Sequence, residues 1–413
     1  MNKLLDHRQI ADDMEIYCLD EKIGAGLPLW LPAGVAIRDA LESMMRQLEG
    51  DGGYRRVVSP HIGKRELYER SGHLKAFAEE MFPPIGLGAE EYFLRPMNCP
   101  HHHVIFGAGV KSYRQLPYRI AEFGQVYRNE RSGALRGLSR VRGLCQNDAH
   151  IYVAPDESKA EILSVLRLHE RVYKILGLRS YHYRLSKSDP AKQELFEGPP
   201  EQWKRAEAVL RSALCELELP FVESIGEAAF YGPKIDVQMP IGIEPSVRSE
   251  SIASVQLDFN SGEKFDLKYV DRDGLKAVPW VVHRAPLGSH ERMVSLLLEQ
   301  SQGHFPGWLA PIQIAIVPVD ARHEDHARKV HRNLVSGGIR SEIIQPIGSL
   351  GKRMKMLHRK RPFAKLVLGD EELLAQPSEV SWRVVLMEGA HVVRRNDLVS
   401  FVRLLVKPPW VDD

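Results

Sequence analysis

Cys99 in RPMNCP, His150 in QNDAH and His283 in VVHRA are the residues best suited to hold a soft or borderline metal. A thiolate with two imidazoles suits zinc in tetrahedral geometry, and three protein ligands leave a fourth position open to a substrate. Spacing alone does not carry that reading. The chain has 17 histidines, and a single histidine on a strand is more often a hydrogen-bonded core or surface residue. The adjoining run His101 to His103 reads equally well as a surface accident. A second group of residues suits phosphate chemistry. YRNERSGALRGLSRVRG crowds Arg128, Glu130, Arg131, Arg136, Arg140 and Arg142 around one loop. Guanidinium forks match phosphate oxygens, although such a loop in isolation is also compatible with a solvated basic turn. HRAPLGSHERM sets Arg292 in the first turn of a helix reached through Gly288 and Ser289, small residues that let a nucleotide approach the backbone. Helix capping alone would use the same residues.

These residues need a scaffold, and the hydrophobic periodicity supplies one. IAEFGQVYRNE and LCQNDAHIYV alternate apolar and polar residues on either side of the arginine-rich loop, which predicts an antiparallel hairpin over 116–152. Cys99, His150 and His283 are each expected to close a strand. Helical spacing covers 35–48, 157–176 and EQWKRAEAVLRSALCELEL. YRRVVSP, YHYRLS, FYGPKIDVQM and ASVQLDF read as strands, and VPWVVHRAPLG runs into the helix SHERMVSLLLEQSQ. Antiparallel strands interrupted by helices indicate an α+β fold rather than a doubly wound sheet. After GHFPGWLAP, strands and helices alternate to the end, which predicts a small α/β domain. The expected domains are 1–310 and 311–413.

At 413 residues the chain is too long for one compact core. With 44% hydrophobic and 27% charged residues, no long disordered tract is expected. A net charge of +2 confines any RNA-binding surface to a local basic patch. The four cysteines, Cys18, Cys99, Cys145 and Cys215, are scattered, which excludes a disulfide framework and favours a reducing compartment. The N-terminus turns charged too soon for a signal peptide, and no run approaches the ~18 apolar residues of a membrane helix. A cytoplasmic protein that does not engage a membrane is expected.

PMNCP, YRNE–SGALRGLSRVRG–QNDAH, FYGPKID, VQLDF and HRA–LGS–ER–FP–WLAP stand in the order and spacing of the threonyl-tRNA synthetase catalytic domain, and the chain resembles that family. The resemblance runs from DHRQI to WLAP, about three quarters of the chain, and the last domain resembles the family's anticodon-binding domain. VVSP, the arginine hairpin and GSHER look like class II motifs one, two and three. The resemblance implies activation of threonine with ATP, transfer to tRNA, and a homodimer built on motif one. It implies a Zn2+ ion on Cys99, His150 and His283 that grips the amino and hydroxyl groups of threonine. Asp148 would accept the hydroxyl proton, and Gln146, Tyr231 and Gln256 would line the amino-acid pocket. Arg128 would bind the α-phosphate, Glu130 and Leu144 would lie at the adenine, and Arg292 would hold the far side of ATP. Lys234 and Arg140 would assist at the phosphates with Mg2+. Valine offers no oxygen to a metal, so such a site would reject it by ~10⁴ or more, whereas excluding serine rests on one methyl, ~1–3 kcal/mol.

Several positions depart from the family. Leu144 replaces an aromatic residue, His101 replaces the glycine of CPGH, and ESIAS replaces a WQCGT-like run, with Ala253 at a pocket glycine. IQPIGSLG (344–351) stands where relatives carry DLRNEKIG, and WRVVLMEGAHVV where they carry an RTRRG-like run. Base readout needs polar groups at base edges, so these changes weaken the expected anticodon contact. Lys352, Arg353, Lys355, Arg359, Lys360 and Arg361 would bind phosphate without reading sequence, or form a solvated helix face. The changes motivate an alternative: a paralogue that activates threonine or a similar hydroxy amino acid and passes it to a non-tRNA acceptor such as a carrier protein. A non-catalytic binding module ranks last, because Arg128, Arg292 and the metal trio are intact. The chain begins at the catalytic domain, so removal of mischarged serine is expected to fall to another protein, or the product to tolerate serine.

Overall fold

The structure is a computed structural model that describes residues 4–242, 247–374 and 381–411. It contains two compact units: Glu21–Leu27 with Arg46–Ser295, and Met1–Asp20 with Pro28–Met45 and Leu296–Asp413.

The larger unit is built on an eight-stranded sheet. Its strands are β1 (Arg55–Arg56), β2 (Tyr118–Tyr127), β3 (Gly143–Val153), β4 (His182–Lys187), β5 (Phe221–Ile225), β6 (Lys234–Ile241), β7 (Arg248–Asp258) and β8 (Trp280–Ala285). The spatial order is β5-β4-β6-β7-β8-β3-β2-β1, antiparallel except at the two edges. β2 and β3 form the predicted hairpin, pairing from Tyr118↔Tyr152 to Tyr127↔Gly143. The helix Ser158–Leu176 buries Ile162, Val165, Leu166, His169, Val172 and Tyr173, a stripe at three- and four-residue spacing that packs on β7 and β8. It stops at Gly177, which takes the left-handed conformation open to glycine. The helix Pro200–Glu216 starts on its proline and packs beside it.

Pairing register decides what this sheet can do. Ile120, His150, His283, Gln256 and Lys234 are direct cross-strand partners on β2, β3, β8, β7 and β6. Opposite residues of antiparallel strands share a face with Cβ atoms ~5 Å apart. Four residues spread over 134 positions of sequence (150 to 283) therefore stand in one row on one face.

The smaller unit carries a five-stranded sheet: β9 (Ile314–Pro318), β10 (Ser341–Ile343), β11 (Ala364–Leu368), β12 (Ser381–Leu386) and β13 (Gly389–Arg394), in the order β10-β9-β11-β12-β13. Alternation along β9 sends Ile314 and Ile316 to one core, with Leu334, Leu366, Trp382 and Val402. Ala315 and Val317 go to a second core, with Ile344 and Leu357. The alternation of strand and helix expected after GHFPGWLAP is present, with the helices Glu324–Ser336 and Leu350–Lys360 between strands. The first twenty residues join this unit through side chains: His7 Nδ1 lies 2.7 Å from Glu299, and Asp13 accepts from Arg359 at 2.7 Å.

The basic face predicted on Leu350–Lys360 is largely neutralised. Arg353 is buried and donates to the carbonyls of Pro318 and Val319, both at 2.6 Å. Arg359 and Arg361 reach Asp13, and Lys360 reaches Glu342 and Glu15. Four of the six predicted cations hold the unit together.

Candidate active site

One cavity opens on the row-bearing face of the larger sheet. Cys99, His150, His283, Gln146, Asp148 and Gln256 line it, as do Tyr231, Lys234, Leu144, Arg128 and Arg292. Glu130 and Arg140 are not among its lining residues. They pair with each other at 2.9 Å, with Arg140 half exposed. Three more hairpin arginines have partners within the protein: Arg142 donates to the Glu130 carbonyl and to Ser132, Arg136 lies 3.9 Å from Glu250, and Arg131 lies 3.7 Å from Glu79.

The metal trio does come together. The donor atoms of Cys99, His150 and His283 all lie within 4.8 Å of one another, and all three residues are buried. The two histidine rings meet edge to face with centroids 4.4 Å apart. One expectation needs correcting: only the histidines lie on strands, His150 well inside β3 and His283 in β8. Cys99 opens the helix Cys99–Gly107, because the Pro100 that follows lacks an N–H and fits the first helical turn. Burial pushes the Cys99 thiol well above its ordinary range, reinforced by the charges of Asp148 and Asp258. Burial likewise drives His150 well below the usual imidazole value, with His283 and His102 adding to it. A thiol and two imidazoles gathered this closely are donor types that could hold a zinc ion.

Around the trio the side chains are fixed by specific bonds. The Tyr231 ring stacks on His283 at 5.2 Å, and its hydroxyl donates to Gln256. Asn98 donates to Asp148 at 2.9 Å. Burial raises the Asp148 carboxyl above its ordinary value against the opposing pull of His102, Asn98, His283 and Arg284. Lys234 lies 3.0 Å from Asp236, whose carboxylate also takes Arg184 and Ser186 Oγ.

Two guanidiniums also line this cavity. Arg128 donates to the Pro96 carbonyl at 3.4 Å. Arg292 donates to Ser251 and Ser139 carbonyls at 2.6 and 3.2 Å. Among the described residues neither forms an ion pair with a carboxylate. Burial pulls both below the ordinary arginine value, and Arg292 lowers Arg128 further. Two desolvated cations that repel one another mark a place for an anion. Gly288 lines the cavity too. Its φ is +56°, its carbonyl accepts from Asn147 N–H, and a Cβ there would overlap the Ile252 carbonyl. The glycine is required by that close backbone approach.

Four supporting residues escaped the sequence reading: Asn98, His102, Glu122 and Arg284. Arg284 is buried, donates to Glu49 at 2.8 Å, and lies 4.3 Å from the centre of the Tyr54 ring. The His101–His103 run is no surface accident, since all three are buried. A usable signal was present. Once Cys99 starts a helix, His102 and His103 fall three and four residues on, the same face.

Residues 87–301, just over half of the chain, match the tRNA synthetase class II core domain (G, H, P, S and T), and residues 313–404 match the anticodon binding domain. The chain is 43% identical over 377 residues to the threonine--tRNA ligase of Chlorobium chlorochromatii, covering 90% of this chain and 57% of that protein. To the threonine--tRNA ligase of a Geobacillus species it is 44% identical, covering 89% and 57%. The chain therefore spans a little over half the length of these curated relatives. Its structure is similar to that of the RNA binding domain of threonyl-tRNA synthetase from Cryptosporidium parvum (TM-score 0.90, 31% identity, 99% of this chain and 100% of that one). It also matches ThrRS-1 from Aeropyrum pernix (TM-score 0.82, 28% identity, 98% of both chains).

Proposed function

Because the chain belongs to the class II tRNA synthetase family, on its threonyl branch, we propose that it activates threonine with ATP and transfers it to tRNA. One observation carries the reading: a Cys–His–His donor set and two guanidiniums without a carboxylate partner line the same cavity. The first suits an amino acid with a hydroxyl, the second a polyphosphate. The reading with a non-tRNA acceptor is not favoured, since the relatives at 41–44% identity are threonine--tRNA ligases.

Zinc held by Cys99, His150 and His283 would supply a Lewis-acidic anchor for the amino and hydroxyl groups of threonine. Asp148 accepts a hydrogen bond from the hydroxyl, and Gln146, Tyr231 and Gln256 close the pocket around the side chain. The carboxylate of threonine attacks the α-phosphorus of ATP; the new bond is carboxylate oxygen to phosphorus, and pyrophosphate leaves. Negative charge grows on the α-phosphoryl oxygens, where Arg128 lies already desolvated and needs no reorganisation. Arg292 and Lys234 neutralise the departing phosphates, with Mg2+ accompanying ATP. Leu144 and Glu130 meet the adenine, and Arg140 assists at the phosphates. A ribose hydroxyl of the tRNA terminus then takes the threonyl group and AMP leaves.

Residues 1–310 carry this chemistry and 311–413 meet the tRNA, in a cytoplasmic homodimer. No helix of the described residues is long and apolar enough to cross a membrane. The deciding experiment is amino-acid-dependent pyrophosphate exchange with threonine, serine and valine, followed by addition of tRNA. Threonine-dependent exchange and stable threonyl-tRNA support the ligase; exchange without transfer overturns it.

A further inference from the structure

The carboxylate of Glu122 is buried beneath the metal trio and is saturated with donors. Arg95 reaches it at 3.1 Å, Ser59 N–H at 3.0 Å, Ser59 Oγ at 2.6 Å and His102 Nε2 at 3.0 Å. An acid proton on Glu122 would face one of these donors, so Glu122 is ionised and His102 carries a proton on Nε2. Arg95 already balances the charge of Glu122. A neutral imidazole that spends its one N–H on Glu122 turns a bare Nδ1 lone pair toward its other neighbour. That lone pair lies 2.7 Å from His150 Nδ1, a distance that requires one proton between them. The proton must sit on His150.

We propose that His102 is a positioning residue: Glu122, acting through His102, locks His150 in the Nδ1–H tautomer and so leaves its Nε2 lone pair for the metal. His283 reaches the equivalent state directly. Its Nε2 donates to Asp258 at 3.1 Å, and the other oxygen of Asp258 takes the N–H groups of Asn260 and Ser261. The two ligands thus present opposite nitrogens, each fixed by a buried carboxylate, one of them through an extra imidazole. Handing the distal N–H of a ligand histidine to a carboxylate orients the ring and raises its basicity. The relay rests on the zinc reading above.

The test reads the tautomer and the metal separately. In chelator-treated protein labelled with 15N-histidine, His150 is expected as the Nδ1–H tautomer, and in His102→Leu as the Nε2–H form that free imidazole prefers. Zinc affinity by chelator competition is expected to fall roughly 10- to 100-fold in His102→Leu. His102→Gln should restore part of it, because the amide oxygen accepts from His150 while the amide N–H serves Glu122. An Nε2–H His150 in the unsubstituted protein, or unchanged zinc affinity in His102→Leu, overturns the relay. If His102→Leu does not fold, the unsubstituted spectrum and His102→Gln decide the matter. If the unsubstituted protein binds no zinc, the zinc reading fails while the tautomer measurement still judges His102.

Discussion

Asn98 holds Asp148 at 2.9 Å from a position that exists only because residue 124 has no side chain. Gly124 is the β2 partner of Gln146, and a Cβ there would overlap the Asn98 amide. Gly124→Ala is therefore expected to dislodge Asn98 and release Asp148. The threonine KM in pyrophosphate exchange should rise roughly tenfold, the worth of a charge-assisted hydrogen bond, with the ATP KM little changed. Equal damage to both would show that the strand itself had moved.

Arg128 and Arg292 stabilise an occupant, not the empty protein. Arg128→Gln removes a desolvated charge that repels Arg292, so the unliganded melting temperature is expected to hold or rise. ATP binding should weaken roughly 10- to 100-fold, the value of hydrogen bonds to a charged group. Calorimetry with and without ATP checks both halves. A lower unliganded melting temperature would mean that the arginine supports the fold.

Gly288→Ala places a Cβ on the Ile252 carbonyl at a left-handed backbone position. Strain and overlap together should destabilise by roughly 2–4 kcal/mol. Urea unfolding should show a lower midpoint at unchanged slope.

Glu122 supplies a pH signature. Burial raises its carboxyl, but hydrogen bonds from His102 and Ser59, with the charge of Arg95, outweigh it and bring the group down to about 2. A carboxylate lowered on folding stabilises fully above its unfolded value near 4.5, and that stability is lost as pH falls through about 2. The shift corresponds to something on the order of 3 kcal/mol. Glu122→Gln should lie below the unsubstituted protein by a constant amount at neutral pH. The gap should narrow between about pH 4.5 and 2. A pH-independent gap would count against this.

On the helix Leu350–Lys360, Arg353→Met should cost about 2 kcal/mol or more, since two buried carbonyls lose their donor. Arg359→Gln removes an exposed guanidinium while Asp13 keeps Arg361, and should cost no more than ~1 kcal/mol. Neither should alter the salt dependence of tRNA binding, read as the slope of affinity against ionic strength. A slope reduced by about one for Arg359→Gln would return that cation to the RNA.

Local pattern made the hairpin, the long helices and the motif residues legible in the sequence. Register was not legible. Nothing near His150 says that it will oppose His283, because the pairing is decided by strands 133 positions apart and by the hydrophobic faces they bury together. Side-chain partners were the other blind spot. Nothing in the sequence says that Glu130 and Arg140, both candidates for the nucleotide, will also pair with each other. The basic run 352–361 looks like an RNA face until Asp13, Glu15 and Glu342 arrive from elsewhere in the chain. His102 was visible but unread, because it depends on Cys99 opening a helix rather than closing a strand.

Asp13 and Arg359 are separated by 346 residues. At ~5–20 residues per second a ribosome needs roughly 20 to 70 s after making Asp13 before Arg359 exists. For most of that interval the helix His7–Asp13 lacks Glu299, and to its end it lacks Arg359 and Arg361. Closure of the smaller unit is therefore an event of the end of synthesis, and a chain stalled before residue 299 carries an N-terminal segment without Glu299, Arg359 or Arg361 to bond.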